Sequence, residues 1–339
     1  MSALRFAAVV LLALCATASA AVPRQMRAAA IDHAGDASVL TLHTLAVPVP
    51  APDEVLIAVH TAGVASWDVG VRRHPESIKN NKMPLVLGTD GAGVVAALGA
   101  HVRGFKVGDE VYAYSWDNPQ GGFYAEYVAV PAERVGRLPR GLSLRQAGGI
   151  ATTALTALQG VDDALHLKPG DSVFIHGAAG GVGTLAVQFA KLRGARVLAS
   201  VSADDEVALV RGLGADAVVD GRHGDVAAAA HAFAPNGLDA VLALAPGAAL
   251  EQAIDALGKG GLVAYPNGVQ PVPKARAGVT ILPYDAVPGP NEYARLTVAI
   301  EAAKLKVPIA AEFPLAQAAQ AQERLEAGHV AGKILLRIR

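Results

Sequence analysis

Cysteine is almost missing from this 339-residue chain, which has a single one, Cys15. No intramolecular disulfide can form, and no zinc site can be assembled from thiolates. Charge is sparse as well. Charged residues make up 17%, and 29 Lys and Arg against 30 Asp and Glu leave a formal net charge of -1. With no basic excess to neutralise a phosphate backbone, nucleic acid is not expected as a partner. No apolar run reaches the roughly 20 residues a comfortable bilayer span needs, so no stable membrane span is expected. What is present is a 52% apolar, Gly- and Ala-rich composition. At about 150 residues per domain, such a chain builds two globular domains rather than a disordered polymer.

The N-terminus reads in two ways. Arg5 supplies a positive start, Phe6 to Ala16 is an unbroken apolar run, and Ala18-Ser19-Ala20 is a small-residue cleavage site. Residues 1–20 therefore read as a secretory signal, which would make the protein periplasmic or secreted. Alternatively translation starts at Met26, where Met26 to Ile31 resembles the opening strand of a cytoplasmic protein. Both readings stay open.

Between Met26 and about residue 145 the pattern is one of short β-branched runs punctuated by Gly and Pro, at Val55 to Val59, Pro84 to Val95 and Glu110 to Tyr114. Asp68 is expected as the N-cap of a helix over Val69 to Arg73. Past Pro169-Gly170 the pattern changes. Strands are predicted at Ser172 to His176, Arg196 to Val201, Ala217 to Asp220, Asp239 to Leu244 and Gly261 to Tyr265. Helix-period segments intervene at Gly183 to Arg193, Asp204 to Leu213, Gly224 to Phe233 and Ala248 to Leu257. Repeated βα units imply an α/β fold with a parallel sheet covered on both faces. Two Ala-rich helical stretches follow from about Asn291, split by Val307 to Pro314, before a strand-like end at Lys333 to Arg339.

The stretch His176-Gly177-Ala178-Ala179-Gly180-Gly181-Val182-Gly183 lies between a predicted strand and a predicted helix. Glycines there let backbone approach a pyrophosphate, and the exposed amides and positive helix end attract its charge. Ala178, Ala179, Gly180, Gly181, Val182 and Gly183 are therefore expected to bind a dinucleotide. The next strand ends at Val201-Ser202 without the carboxylate that would accept from ribose hydroxyls, which favours NADP, with NAD left open. Ser200 and Ser202 are the candidate 2'-phosphate contacts, with Arg222 more distant. Asp204, Asp205 and Glu206 would repel a phosphate unless they turn away as helix N-terminal acids.

These residues together resemble a known family. The glycine run, Gln188-Phe189-Ala190-Lys191, Leu213-Gly214-Ala215-Asp216, Leu87-Gly88-Thr89-Asp90-Gly91-Ala92-Gly93, Val107 to Tyr112, Gly122 to Tyr127 and Gly332-Lys333-Ile334 are similar to the zinc-free quinone oxidoreductase branch of the medium-chain dehydrogenase/reductase superfamily. The resemblance implies a GroES-like β-rich catalytic domain over residues 26–145, completed by 291–339. A Rossmann domain, a doubly wound parallel sheet, occupies 146–290, and a homodimer is a possible assembly. The positions of a catalytic zinc set in relatives are here Ala65, Thr89 and Thr152, none a good ligand, so no zinc is expected. Without a Lewis acid, the expected substrates are quinones and α,β-unsaturated carbonyls reduced by hydride transfer.

The resemblance also places Thr156 near the nicotinamide and Lys333 beside the cofactor. Where relatives carry Asn-Pro-x-Asp, this chain has Ala65-Ser66-Trp67-Asp68, so Ser66 or a nearby tyrosine such as Tyr112 would have to act as donor. Tyr112, Tyr114, Trp116 and Trp67 form a possible aromatic wall. Relatives often have Tyr at Gly221 and a cation near residues 204–206, and this chain has neither. An alternative reading is a dinucleotide-binding sensor or structural protein without turnover.

Overall fold

The computed structural model describes residues 22–118 and 120–339, so the signal reading of residues 1–20 lies outside the described residues. Six strands form one parallel sheet in the order Ala217–Asp220, Arg196–Val201, Ser172–His176, Leu238–Ala243, Leu257–Pro266, Thr280–Tyr284. Every residue of Ser172–His176 is buried, as expected for a strand covered on both faces. Chain order reverses beside this strand, because its second-strand neighbour lies on one side and its fourth-strand neighbour on the other. A crevice opens there, beyond the carboxyl ends of the strands.

Five of these strands and their helices match the periodicity, with ends shifted by up to four residues. Gly261 to Tyr265 lengthens to Leu257–Pro266, for example. The sixth strand, Thr280–Tyr284, escaped sequence reading because Pro283 interrupts it. It is tolerated there because the strand lies at the sheet edge, where a missing N-H breaks no ladder.

The other half is a mainly antiparallel sheet in the order Ile309–Pro314, Lys333–Arg337, Glu54–Val64, Asp90–Leu98, Glu110–Tyr114, Val135–Arg137, with Tyr127–Pro131 also paired to Glu54–Val64. The tail enters this sheet antiparallel, with Ile334 opposite Val64 and Arg337 opposite Thr61. A small sheet of Thr41–Ala46, Gln25–Ile31 and Leu85–Val86 packs beside it. The predicted run Pro84 to Val95 is thus two strands, broken at residues 87–89.

The halves share a core. The helix Ala151–Gln159 is buried all round and continues into a single π turn, Gly160–Ala164. Its Leu155 and Leu158 pack in one cluster with Tyr112 of the antiparallel sheet, Phe189 beside the parallel sheet, and Leu296 and Ile300 of the helix Pro290–Ala303. The strand Glu54–Val64 and the helix Ser66–Arg73 that follows it belong to a separate apolar cluster of the antiparallel half, with Val59, Val64 and Val71.

Candidate active site

The glycine turn is built by close approach. Gly177 adopts φ +79, a left-handed conformation that favours glycine. A side chain on Gly183 would place its Cβ 2.2 Å from the Gly177 carbonyl oxygen and 2.7 Å from Ala178 Cα. At Gly180 the nearest atom to such a Cβ is 3.4 Å away, ordinary contact, so a side chain there would meet no clash from the protein. The helix Gly183–Leu192 begins here. Among the described residues, the amides of Gly181, Val182 and Gly183 donate to no backbone carbonyl. Unpaired N-H groups and the helix's positive end thus converge on the crevice.

The C-terminal tail completes this end. The Gly332 N-H donates to the Ala179 carbonyl at 2.8 Å, and the Lys333 N-H to the Pro308 carbonyl at 2.9 Å. These bonds carry the Lys333 side chain under the turn, where a Cβ on Gly181 would lie 2.9 Å from Lys333 Cδ and 3.8 Å from its Nζ. Lys333 is only 3% exposed. Its ammonium has no hydrogen-bond or ion-pair partner among the described residues and lies 5.9 Å from the Trp67 ring centroid. The Lys333 side chain lines the cleft, so its ammonium together with the free amides makes a cradle matched to an anionic group.

The cleft here encloses about 450 Å³, walled by Ser66, Trp67, Thr153, Leu325 and the loop Asn267-Gly268-Val269. The Trp67 indole N-H donates to Thr89 Oγ1 at 2.5 Å, and the Thr89 hydroxyl donates to Asp68 Oδ1 at 3.3 Å. Asp68 Oδ2 accepts from the Tyr124 hydroxyl at 3.1 Å and from the Ala65 N-H at 2.9 Å. Asp68 is therefore not the N-cap expected from the sequence. The helix starts at Ser66, and Asp68, in its first turn, reaches back to the amide that precedes it. Burial, reinforced by the nearby Asp90 charge, pushes the Asp68 carboxyl up to about 7. Asp90 is also raised by burial, against the opposing charge of Lys333 and the Thr152 N-H donated at 3.2 Å.

Around Ala65, Thr89 and Thr152 the polar atoms are committed or poor ligands. Thr89 is bonded to Trp67 and Asp68, and no group of three or more His, Cys, Asp or Glu side chains among the described residues could hold a metal.

A second lobe of about 480 Å³ runs past the carboxyl end of Arg196–Val201. Ser200 Oγ accepts from the Gly177 N-H at 3.2 Å and lies 2.7 Å from His176 Nδ1. His176 Nε2 lies 3.5 Å from the Pro246 carbonyl oxygen, which can only accept, so the neutral imidazole carries its proton on Nε2 and Nδ1 accepts from the Ser200 hydroxyl. Burial, which lowers the His176 pKa, agrees with this form. Ser202 donates its N-H to Glu206 Oε2 at 2.6 Å and its hydroxyl to the same oxygen at 3.1 Å. Both serines are thus occupied within the protein. Glu206 is a helix N-terminal acid, in the first turn of Asp204–Gly212, yet it does not turn away: it reaches back to the Ser202 N-H, borders the lobe and is 4% exposed.

Of the other expected residues, Ser66, Gly180, Gly181, Val182, Gly183 and Lys333 line the first lobe, while Ala179, Ser200 and Ser202 line the second. Ala178 lies beneath the turn, its N-H donating to the Ser200 carbonyl at 3.2 Å. Thr156 and Tyr112 are brought to neither lobe. The Thr156 hydroxyl donates to the Thr152 carbonyl at 2.9 Å, and Thr153 instead faces the cleft. Tyr112 is fully buried, edge-on to Tyr293 at 5.2 Å. Of the four aromatics, only Trp67 lines the cleft; Trp116 borders a small cavity with Asp68 and Thr89. Sequence reasoning missed Thr153, Asn267 and His329. Asn267 had a signal, since it follows directly on the fifth parallel strand, where ligands bind in such sheets.

The fold and cleft define a two-part α/β protein with a cleft at the switch point of its parallel sheet. Residues 51–140 match the alcohol dehydrogenase GroES-like domain family and residues 213–336 the zinc-binding dehydrogenase family. The human quinone oxidoreductase is 30% identical over 324 residues, 92% of this chain and 97% of that protein. The NADPH-dependent alkenal/one oxidoreductase of Arabidopsis thaliana chloroplasts is 31% identical over 329 residues, 94% of this chain and 81% of that protein. The solved quinone oxidoreductase of Coxiella burnetii is 31% identical with TM-score 0.81, covering 93% of this chain and 100% of that structure. The chain belongs to the medium-chain dehydrogenase/reductase superfamily, as a quinone oxidoreductase-like oxidoreductase.

Proposed function

We propose that the protein reduces quinones or α,β-unsaturated carbonyls with a nicotinamide dinucleotide and without a metal. The observation that carries this reading is the convergence of the unpaired Lys333 ammonium and the Gly181 to Gly183 amides on a cleft walled by Trp67. A bound nicotinamide dinucleotide would supply hydride. The amides and Lys333 would hold its diphosphate, which fits a cradle with free donors and no competing carboxylate contact. The names of the human and Arabidopsis relatives support the substrate class, and the Arabidopsis name supports NADPH as one form of the reductant.

The remaining work falls to this chain's side chains. Trp67, pinned through Thr89 to Asp68, offers a fixed flat face on which a conjugated acceptor stacks. Hydride addition leaves negative charge on the acceptor oxygen, delocalised through its π system. Ser66, exposed at the start of its helix, is placed to donate a hydrogen bond to that oxygen, and water at the cleft mouth supplies the proton. The absence of ligating side chains at Ala65, Thr89 and Thr152 supports chemistry without zinc. We further propose that residues 26–145 with 291–339 act as the catalytic unit and 146–290 as the dinucleotide unit; the antiparallel entry of the tail beside Glu54–Val64 supports this division.

The test is steady-state oxidation of NADH and NADPH by the purified protein with a 1,4-quinone and with an enal, with and without a zinc chelator. Turnover insensitive to the chelator is expected. Binding of both nucleotides with no turnover on either acceptor would overturn the proposal in favour of a sensor or structural role.

A further inference from the structure

The second lobe does not match the 2'-phosphate pocket that the bare strand end at Val201-Ser202 predicts. We infer that Glu206 makes it a receptor for a free ribose diol, so that this chain discriminates against NADPH and takes NADH as its reductant. The inference rests on the dinucleotide reading of the cleft and refines its adenosine end.

The position normally filled by a strand-end carboxylate is supplied here from four residues further on. Ser202, directly after the strand Arg196–Val201, draws the carboxylate of Glu206 back with its N-H at 2.6 Å and its hydroxyl at 3.1 Å. The helix Asp204–Gly212 places Glu206 in its first turn, so the carboxylate also lies at the positive helix end. His329, arriving from the C-terminal segment, sets Nδ1 3.2 Å from Glu206 Oε1 and Nε2 3.3 Å from Asp205 Oδ2. Glu206 is thus held in place from three directions.

A carboxylate accepts about four hydrogen bonds. Oε2 takes the Ser202 N-H and the nearer share of its hydroxyl, and Oε1 has that hydroxyl at 3.4 Å and one imidazole nitrogen at 3.2 Å, so acceptor capacity remains on a group that lines the lobe. Ribose hydroxyls are donors and match it. A phosphate has no donor to offer at neutral pH and carries like charge, so the same contact becomes repulsive.

The surrounding charges do not reverse this. Ser200 and Ser202, the hydroxyls a phosphate would use, are spent on His176, Gly177 and Glu206. Gly221 contributes no side chain, and a Cβ there would lie 3.3 Å from the Val201 carbonyl oxygen. Arg222 borders the lobe but is exposed, so water screens its guanidinium; its backbone N-H, not its side chain, donates to Asp220 Oδ1 at 2.7 Å. His329 already faces two carboxylates.

The experiment is calorimetric titration of the full chain with NADH and NADPH separately, on the wild type and on Glu206→Gln, which keeps the shape and one acceptor oxygen but removes the charge. Thermal melts report whether each protein is folded. Wild type is expected to bind NADH at least about tenfold more tightly than NADPH, and Glu206→Gln to shrink that ratio about tenfold, mainly by tighter NADPH binding. Equal or tighter NADPH binding by wild type, or an unchanged ratio in folded Glu206→Gln, overturns the inference. If wild type binds neither nucleotide, the dinucleotide reading itself falls and takes this refinement with it, which distinguishes the two failures.

Discussion

The two lobes of the cleft recognise through different parts of the chain. Around residues 177–183 the walls are main chain: a left-handed Gly177, a Gly183 where an added Cβ would collide with backbone, amides without carbonyl partners, and one lysine brought in by the tail. Around residues 200–206 they are side chains: Ser200 on His176, Ser202 on Glu206, Glu206 on His329. Backbone recognition depends on where glycine is permitted and leaves a direct trace in sequence. Side-chain recognition depends on which way a flexible carboxylate turns, and the same letters serve opposite outcomes.

Four substitutions test how far this contrast holds. Gly183→Val should have the largest effect, because its Cβ alone would stand 2.2 Å from a backbone oxygen that cannot rotate away. A loss of about 2–4 kcal/mol of stability is expected, with dinucleotide binding falling beyond detection. A melt and a titration on one preparation measure both, and near-wild-type values would mean that the turn is looser than its packing implies.

Lys333→Met comes next. It removes the one buried cation beside the amides, and the loss of a charge-assisted contact should weaken NADH and NADPH alike by roughly 10- to 100-fold. Stability should change little, since losing an unpaired ammonium is offset by losing the charge that opposes the buried Asp90. A selective loss of one nucleotide would break the division between the lobes.

The third prediction concerns the support of Trp67. Because the folded Asp68 carboxyl stands at about 7 against an ordinary 3.8, the native state holds more protons than the unfolded chain between those values. Stability should therefore fall as pH rises from about 4 to about 7, on the order of a few kcal/mol, and Asp68→Asn should flatten that slope. Thermal melts of both proteins across this range decide it, and parallel curves would mean that Asp68 does not carry the effect.

Gly180→Ala is the smallest and the sharpest partner to Gly183→Val. Its Cβ meets only one atom, at 3.4 Å, so the melt should change by less than about 1 kcal/mol while the methyl intrudes on the cleft and weakens binding a few-fold. Equal damage from the two glycines would show that the turn responds as a whole.

The same division explains what could be read in advance. Strands and helices of the parallel sheet were legible because their periods of 2 and 3.6 are written in apolar spacing, and the glycine turn because its residues lie between one such strand and one such helix. Thr280–Tyr284 was not, since Pro283 contradicts strand propensity and only an edge position excuses it. Thr153 lines the cleft and Thr156 does not, yet no stripe distinguished them, because Ala151–Gln159 is buried all round and carries no apolar stripe to set its phase. Tyr112 read as a wall of the site for the same reason that any lone aromatic can: its type says that it packs, not against what.

Chain order and glycine placement by themselves determined that a strand, a tight turn and a helix would present amides to an anion, because those conformational limits act over a few neighbouring residues. Only the tertiary structure decided that Lys333 lies beneath that turn, that Asp68 braces Trp67, and that Glu206 folds inward between Ser202 and His329. Lys333 lies about 150 residues from the turn, Thr89 joins Trp67 and Asp68 from 22 and 21 residues away, and Ser202 reaches Glu206 across 4, so the direction of each side chain is settled by which donors reach it.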